Sequence, residues 1–134
     1  MALYGNDSHS AKALSCAQKL LQPLSLSIFN EFELENALRH ASWRKLFPPA
    51  EIDQFEVEFD ADLKIGRVVI VPCNLANVLS MARQLSAAHT LTGGHRAFDI
   101  LHVAAALECK AGEFLTFDAN QRKLAQAEGL KVNP

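Results

Sequence analysis

The chain's 134 residues suit one domain with a core of its own, and its balance of apolar and charged residues is ordinary for a soluble globular protein. No apolar run approaches the roughly 20 residues of a membrane-spanning helix, and residues 1–10 lack the basic start and apolar stretch of a signal peptide, so the expectation is a cytoplasmic protein without a membrane anchor. A formal net charge of −2 argues against a broad cationic grip on nucleic acid, although acidic metal ligands can lower the total without preventing a basic rim around them.

Hydrophobic spacing alternates between helical and strand periods. Residues 8–21 read as a helix with Ser8 or Ser10 as its cap, with Ala11, Leu14 and Leu21 at helical spacing, and with Pro23 beyond its end. Residues 24–28 are short and apolar enough for a strand. Asn30 can cap a helix running to about residue 46, where Pro48-Pro49 stops it. Residues 51–64 form a further helix closed by Gly66, and its acids Glu51, Glu56, Glu58, Asp60 and Asp62 read as a solvated face. Phe55 and Phe59, four residues apart, pack inward or against a partner. The β-branched run 68–71 predicts a strand. Asn74 caps a helix to about residue 88, followed by a glycine-containing loop over 90–95.

Residues 97–110 then read as a buried helix ending at Gly112. A strand over 113–117, a helix over 120–128 and a short strand over 130–132 complete the chain. Strands separated by helices imply a parallel α/β sheet with helices on both faces. The three cysteines, Cys16, Cys73 and Cys109, are odd in number, widely spaced and set among apolar residues, which favours buried thiols over disulfides or zinc ligands.

The informative stretch is Arg96-Ala97-Phe98-Asp99-Ile100-Leu101-His102 with Phe114-Leu115-Thr116-Phe117-Asp118: a helix opening on one carboxylate and a strand closing on another. In α/β folds strand ends and helix starts meet along the sheet edge where ligands bind, and two carboxylates there suggest a divalent cation. Each has a plainer reading. Asp99 could stabilise its helix N-terminus, and Asp118 could serve the turn before Asn120. Glu33 is the third candidate, one turn before Ala37 and two before Ala41. Its neighbour Glu35 suits an exposed pair with Arg39, four residues on. His102 could orient a ligand but reads better as a packed histidine. Thr116 could hold a metal-bound water, Arg96 suits a phosphate or an acid equally, and Ala104-Ala105-Ala106 lets its helix approach the sheet.

The motifs Arg96-x-x-Asp99-x-Leu101-His102-x-Ala104-x-Ala106 and Leu115-Thr116-Phe117-Asp118, with Gln121, Leu124-Ala125, Gly129-Leu130-Lys131-Val132 and the upstream Glu33-x-x-x-Ala37-Leu38, resemble those of PIN-domain proteins, the group that includes the VapC-type toxins. The resemblance covers nearly the whole chain. It implies a three-layer, Rossmann-like parallel sheet flanked by helices and a metal-dependent ribonuclease site in which Glu33, Asp99 and Asp118 hold Mg²⁺ or Mn²⁺. It also implies a cognate antitoxin and a homodimer. The family's first acidic residue is an aspartate in an opening strand, and the chain begins after that point. The expectation is therefore a single PIN-like domain over residues 1–134 that lacks the first strand and first acid, is prone to aggregate, and cleaves RNA poorly.

The chemistry suits these residues. A phosphodiester repels hydroxide, and one or two Mg²⁺ or Mn²⁺ ions neutralise that charge and lower the pKa of water. Such ions prefer oxygen ligands, whereas zinc would call for histidine or cysteine. Two other functions remain open: a PIN-like module that holds RNA or protein without cutting, which the missing aspartate favours, and a receiver-like phosphate-binding domain, which the acid pattern fits poorly.

Overall fold

The computed structural model describes residues 10–134. In chain order it runs α1 (Ser10–Gln18), β1 (Leu24–Leu26), α2 (Ile28–Trp43), α3 (Ala50–Lys64), β2 (Val68–Ile70), α4 (Leu75–Gly93), α5 (Ala97–Glu108), β3 (Phe114–Leu115), α6 (Ala119–Ala127) and β4 (Val132–Asn133). The described chain is thus mixed α/β, mostly helical, with short parallel strands. The strands pair two and two, β1 with β2 and β3 with β4. Two compact units divide the chain, Met1–Ile70 and Val71–Pro134. The expected cap Ser8 lies outside the described residues.

In the first unit, β1 pairs with β2 in the register Leu24 to Val68 through Leu26 to Ile70. The apolar stretch after Pro23 is shorter as a strand than expected, because Ser27 turns the backbone into α2. Asn30 is not the N-cap. Ser27 takes that place, and the Asn30 side-chain oxygen accepts from the Ser27 N–H at 2.9 Å and from its hydroxyl at 2.8 Å. This partner three residues on satisfies a backbone donor that a helix start leaves open. Leu38 and Ala41 of α2, Phe59 of α3, Val68 of β2 and Ala13 of α1 are buried. Phe55 meets the Phe47 ring edge-on at a centroid separation of 5.4 Å. Helix α1 ends at Gln18, sooner than its apolar spacing suggested, which leaves Leu21 beyond it on the surface; Leu14, within the helix, is exposed as well.

The second unit is built on α5. Its buried residues Ile100, Val103, Ala104 and Ala105 occupy the face that packs between α4 and α6. The small side chains of Ala104 and Ala105 were expected to let α5 approach the sheet; they lie instead against the neighbouring helices, where they allow close packing, and Ala106 is only half-buried. Helix α4 answers with Val78, Ala82 and Leu85, one turn apart, and α6 with Leu124 and Ala125. Val78, Val103 and Leu124 are at most 1% exposed, and burying each side chain of this kind contributes about 1.5–3 kcal/mol. The parallel pair β3–β4 aligns Phe114 with Val132 and Leu115 with Asn133.

Asn74 caps α4 as expected, its side-chain oxygen accepting from the N–H groups of Ala76 at 3.0 Å and Asn77 at 3.2 Å. The helix then continues through the residues read as a loop. Thr92 turns its hydroxyl back onto the His89 carbonyl at 3.2 Å, and Gly94 ends the helix at a φ of 63°, a left-handed conformation that glycine adopts without strain. Gly93 lies beneath the His95 imidazole, and a Cβ there would collide with it. Helix α5 ends at Glu108, before the expected Gly112. Lys110 takes the left-handed turn, and Ala111 N–H closes back on the Ala106 carbonyl at 2.9 Å. Among the described residues no helix is long and apolar enough to cross a membrane.

Candidate metal centre

Asp118 sits just beyond the C-terminal end of β3. The Thr116 hydroxyl accepts from the Asp118 N–H at 3.1 Å and bends the chain away from the strand. Asp118 then caps α6, its Oδ1 accepting from the N–H groups of Asn120 at 2.8 Å and Gln121 at 2.9 Å. The turn-and-cap reading of this residue is therefore correct, but it occupies only Oδ1. Oδ2 faces the Arg96 guanidinium, with Nη2 at 3.4 Å.

Asp99 occupies the third position of α5 and is buried at 7% exposure. Its Oδ2 accepts from the Arg96 backbone N–H at 3.3 Å and from Arg96 Nε at 3.2 Å. The acid thus satisfies a donor at the helix start, where the macrodipole also favours negative charge. The Arg96 side chain continues past it to Asp118. Two carboxylates 19 positions apart in sequence consequently share one guanidinium, each offering Oδ2 to it. These contacts lie at or beyond the long end of ordinary N–H···O distances. Pairing with acids, one of the two roles open to Arg96, is present here.

Glu33 lies in the other unit, on the second turn of α2, and is exposed. The small-residue stripe beside it is only partly buried, Ala41 fully and Ala37 halfway. Glu35 is committed to Arg39 Nη1 at 3.1 Å, and Arg39 Nη2 reaches Glu56 at 2.8 Å. Glu35 thus forms the expected surface pair, extended into a three-residue network.

His102 is buried, with its ring 6.0 Å from that of Phe98, in keeping with a packed histidine. His95, which the sequence reading passed over, is buried next to Arg96, and its Nδ1 has no hydrogen-bond partner among the described residues. Only the Gly93-Gly94 pair before it hinted at a crowded ring. The cysteines are unpaired and half-buried, less enclosed than their apolar neighbours implied. Burial raises the Cys109 thiol pKa above its ordinary 9.0, and the neighbouring Cys73, by charge and by hydrogen bonding, raises it further.

In chemistry the Asp99–Asp118 pair fits a hard divalent cation, since both donors are carboxylate oxygens and both already face a common positive group. Among the described residues, no three histidine, cysteine, aspartate or glutamate side chains are grouped to hold a metal. The pair alone would leave most of the ion's coordination to water, as Mg²⁺ tolerates. No family model matches the chain, and no match to it was found among the curated proteins.

Proposed function

We propose that the protein is a metal-dependent endoribonuclease of the PIN-domain type, similar to the VapC toxins, which hydrolyses RNA phosphodiester bonds. The observation that carries this reading is the convergence of Asp99 and Asp118 on one cationic group, beside the C-terminal end of a parallel strand. The reading includes a three-layer PIN-like sheet, with Glu33 as third acid, Mg²⁺ or Mn²⁺ as cofactor, and a cytoplasmic homodimer restrained by an antitoxin protein. When bound, the ion would neutralise phosphate charge and lower the pKa of the attacking water. The chain's own part is to hold the two carboxylates ready. Asp99 is fixed by the α5 start, and Asp118 is oriented by the amides of α6, so each Oδ2 is aimed before any ligand arrives. Such preorganisation is worth more than flexible charge of the same sign.

A second reading, a PIN-like module that binds RNA or protein without cutting, is favoured by one observation: no third acid groups with the pair among the described residues. One assay separates the two. Purified protein incubated with RNA oligonucleotides should cleave them in Mg²⁺ or Mn²⁺, stop on chelation, and lose cleavage in Asp99→Asn with folding intact. RNA bound but uncut in either metal would favour the module, and cleavage that persists under chelation would sink the nuclease reading.

A further inference from the structure

Arg96 has a peculiar economy. Its side chain is 76% exposed, yet its guanidinium serves one carboxylate that is 10% exposed and another that is 41% exposed. A mostly buried carboxylate needs a countercharge, because removal from water disfavours its ionised form. Asp99 obtains one from a side chain that itself remains largely in water. The geometry is also loose. Arg96 Nε reaches Asp99 at 3.2 Å, and Nη2 reaches Asp118 at 3.4 Å, whereas a well-formed charge-assisted pair is nearer 2.7–2.9 Å. The guanidinium spans the two acids with separate nitrogens and grips neither bidentately.

We infer that Arg96 is a built-in cation which holds Asp99 and Asp118 as a pair and is displaced from them when a divalent ion binds. The inference rests on the metal-site reading above and concerns how that site is kept closed. A single positive charge at long hydrogen-bond range is a weak competitor for two carboxylates, so a doubly charged ion of smaller radius replaces it. The Arg96 side chain is 76% exposed, so its guanidinium can be hydrated as it leaves the two acids. The backbone N–H of Arg96 stays on Asp99 Oδ2 throughout, because it belongs to the helix start and not to the mobile side chain. Asp99 therefore keeps its orientation while its countercharge changes. Asp118 likewise keeps its α6 cap through Oδ1 and yields only Oδ2.

The test is calorimetric titration of Mn²⁺ into the full chain, without RNA, for the parent, Arg96→Gln, Arg96→Lys and Asp99→Asn. Circular dichroism and thermal melting verify that each is folded. Removal of an exposed competing charge should tighten Mn²⁺ binding in Arg96→Gln by roughly three- to fivefold, the range of a weak surface ion pair. Arg96→Lys, which keeps the charge, should remain near the parent, and Asp99→Asn should bind poorly. Equal or weaker Mn²⁺ binding by folded Arg96→Gln, with the parent binding normally, would overturn the role of Arg96 and leave the metal site standing. Tightening of equal size in Arg96→Lys would also overturn it, since charge would not be the cause. Absence of Mn²⁺ binding in both folded parent and Arg96→Gln would remove the metal site itself, and this inference with it. Should Arg96→Gln not fold, Arg96→Ala takes its place under the same criteria.

Discussion

The acids of α2 and those flanking β3 are the same kind of group in opposite circumstances. On α2, Glu35 faces water and joins Arg39 and Glu56 in a surface network whose side chains are 44–52% exposed. Pairs of that kind contribute about 0–1 kcal/mol and exchange readily with solvent. Around β3, Asp99 and Asp118 are tied by backbone amides at two helix starts, and each has one oxygen directed to a shared guanidinium. The charge is similar, but its orientation is not. Carboxylates become a candidate ligand set when backbone groups orient them, whereas Glu51, Glu58 and Asp60 of α3 form a charged surface. Asp62, its side chain 18% exposed, departs from the expected solvated face by pairing with Arg67 at 2.6 Å.

The largest expected effect follows from that contrast. Asp99→Asn keeps size and removes charge, and on the proposed reading the loss of this carboxylate should lower Mn²⁺ affinity at least as much as loss of an outer partner does, roughly 10–100-fold. RNA cleavage should fall with it. Glu35→Gln should leave both within twofold, about the scale of experimental scatter, because its partner is Arg39. Glu33→Gln decides whether α2 contributes at all: a loss comparable to that of Asp99→Asn admits Glu33 to the site, and an unchanged affinity excludes it.

The two regions should also differ in stability. Leu124 is 1% exposed and anchors the helix that Asp118 caps, so Leu124→Ala should cost about 2–5 kcal/mol in a denaturant titration. Trp43, at the end of α2, is 75% exposed, and Trp43→Ala should move stability by no more than about 0.5 kcal/mol. Comparable losses in both would show that exposure misjudges what holds the α2 region.

Asp118 allows cap and charge to be separated. Asparagine caps as well as aspartate, so Asp118→Asn should keep the melting temperature and weaken Mn²⁺ binding. Asp118→Ala should weaken binding and also cost about 0.5–2 kcal/mol of stability. Equal stability in the two variants would mean that the Asn120 and Gln121 amides do not depend on this side chain.

The smallest expected effect lies at alkaline pH. The Cys109 thiol is raised above its ordinary value of 9.0, first by burial and then by Cys73. Below that value folded and unfolded chains both hold the proton. Above it the unfolded chain releases its proton first, so stability should fall as pH rises from the ordinary thiol value toward the raised one. Thermal melts across that window should slope downward in the parent and lose part of the slope in Cys109→Ala.

Much of this architecture could be read from local pattern. The Asn74 cap, the strand at Val68–Ile70 and the buried face of α5 follow from residue type and spacing alone. The misreadings share one physical origin, in that adjacent residues offered competing ways to end an element. Ser27 and Asn30 are both good caps, and only the backbone turn decides between them. Thr90, Thr92 and Gly93 look like a loop, but the threonine hydroxyls turn back onto the helix and Gly94 takes the left-handed step. Gly112 was the expected stop for α5, yet Lys110 accepted the strained conformation first. Asp99 and Asp118, the proposed ligands, were legible in their local places, at a helix start and after a strand. The choice Arg96 makes was not, because its second partner is 22 residues away.

The most direct test of the account is a crystal of the full chain soaked in Mn²⁺ and measured for anomalous scattering. The account predicts a peak within coordination distance of Asp99 and Asp118 Oδ2, with the Arg96 guanidinium moved off both carboxylates while its backbone N–H remains on Asp99. Arg96 still bridging the two acids at saturating Mn²⁺, with no peak between them, would contradict it.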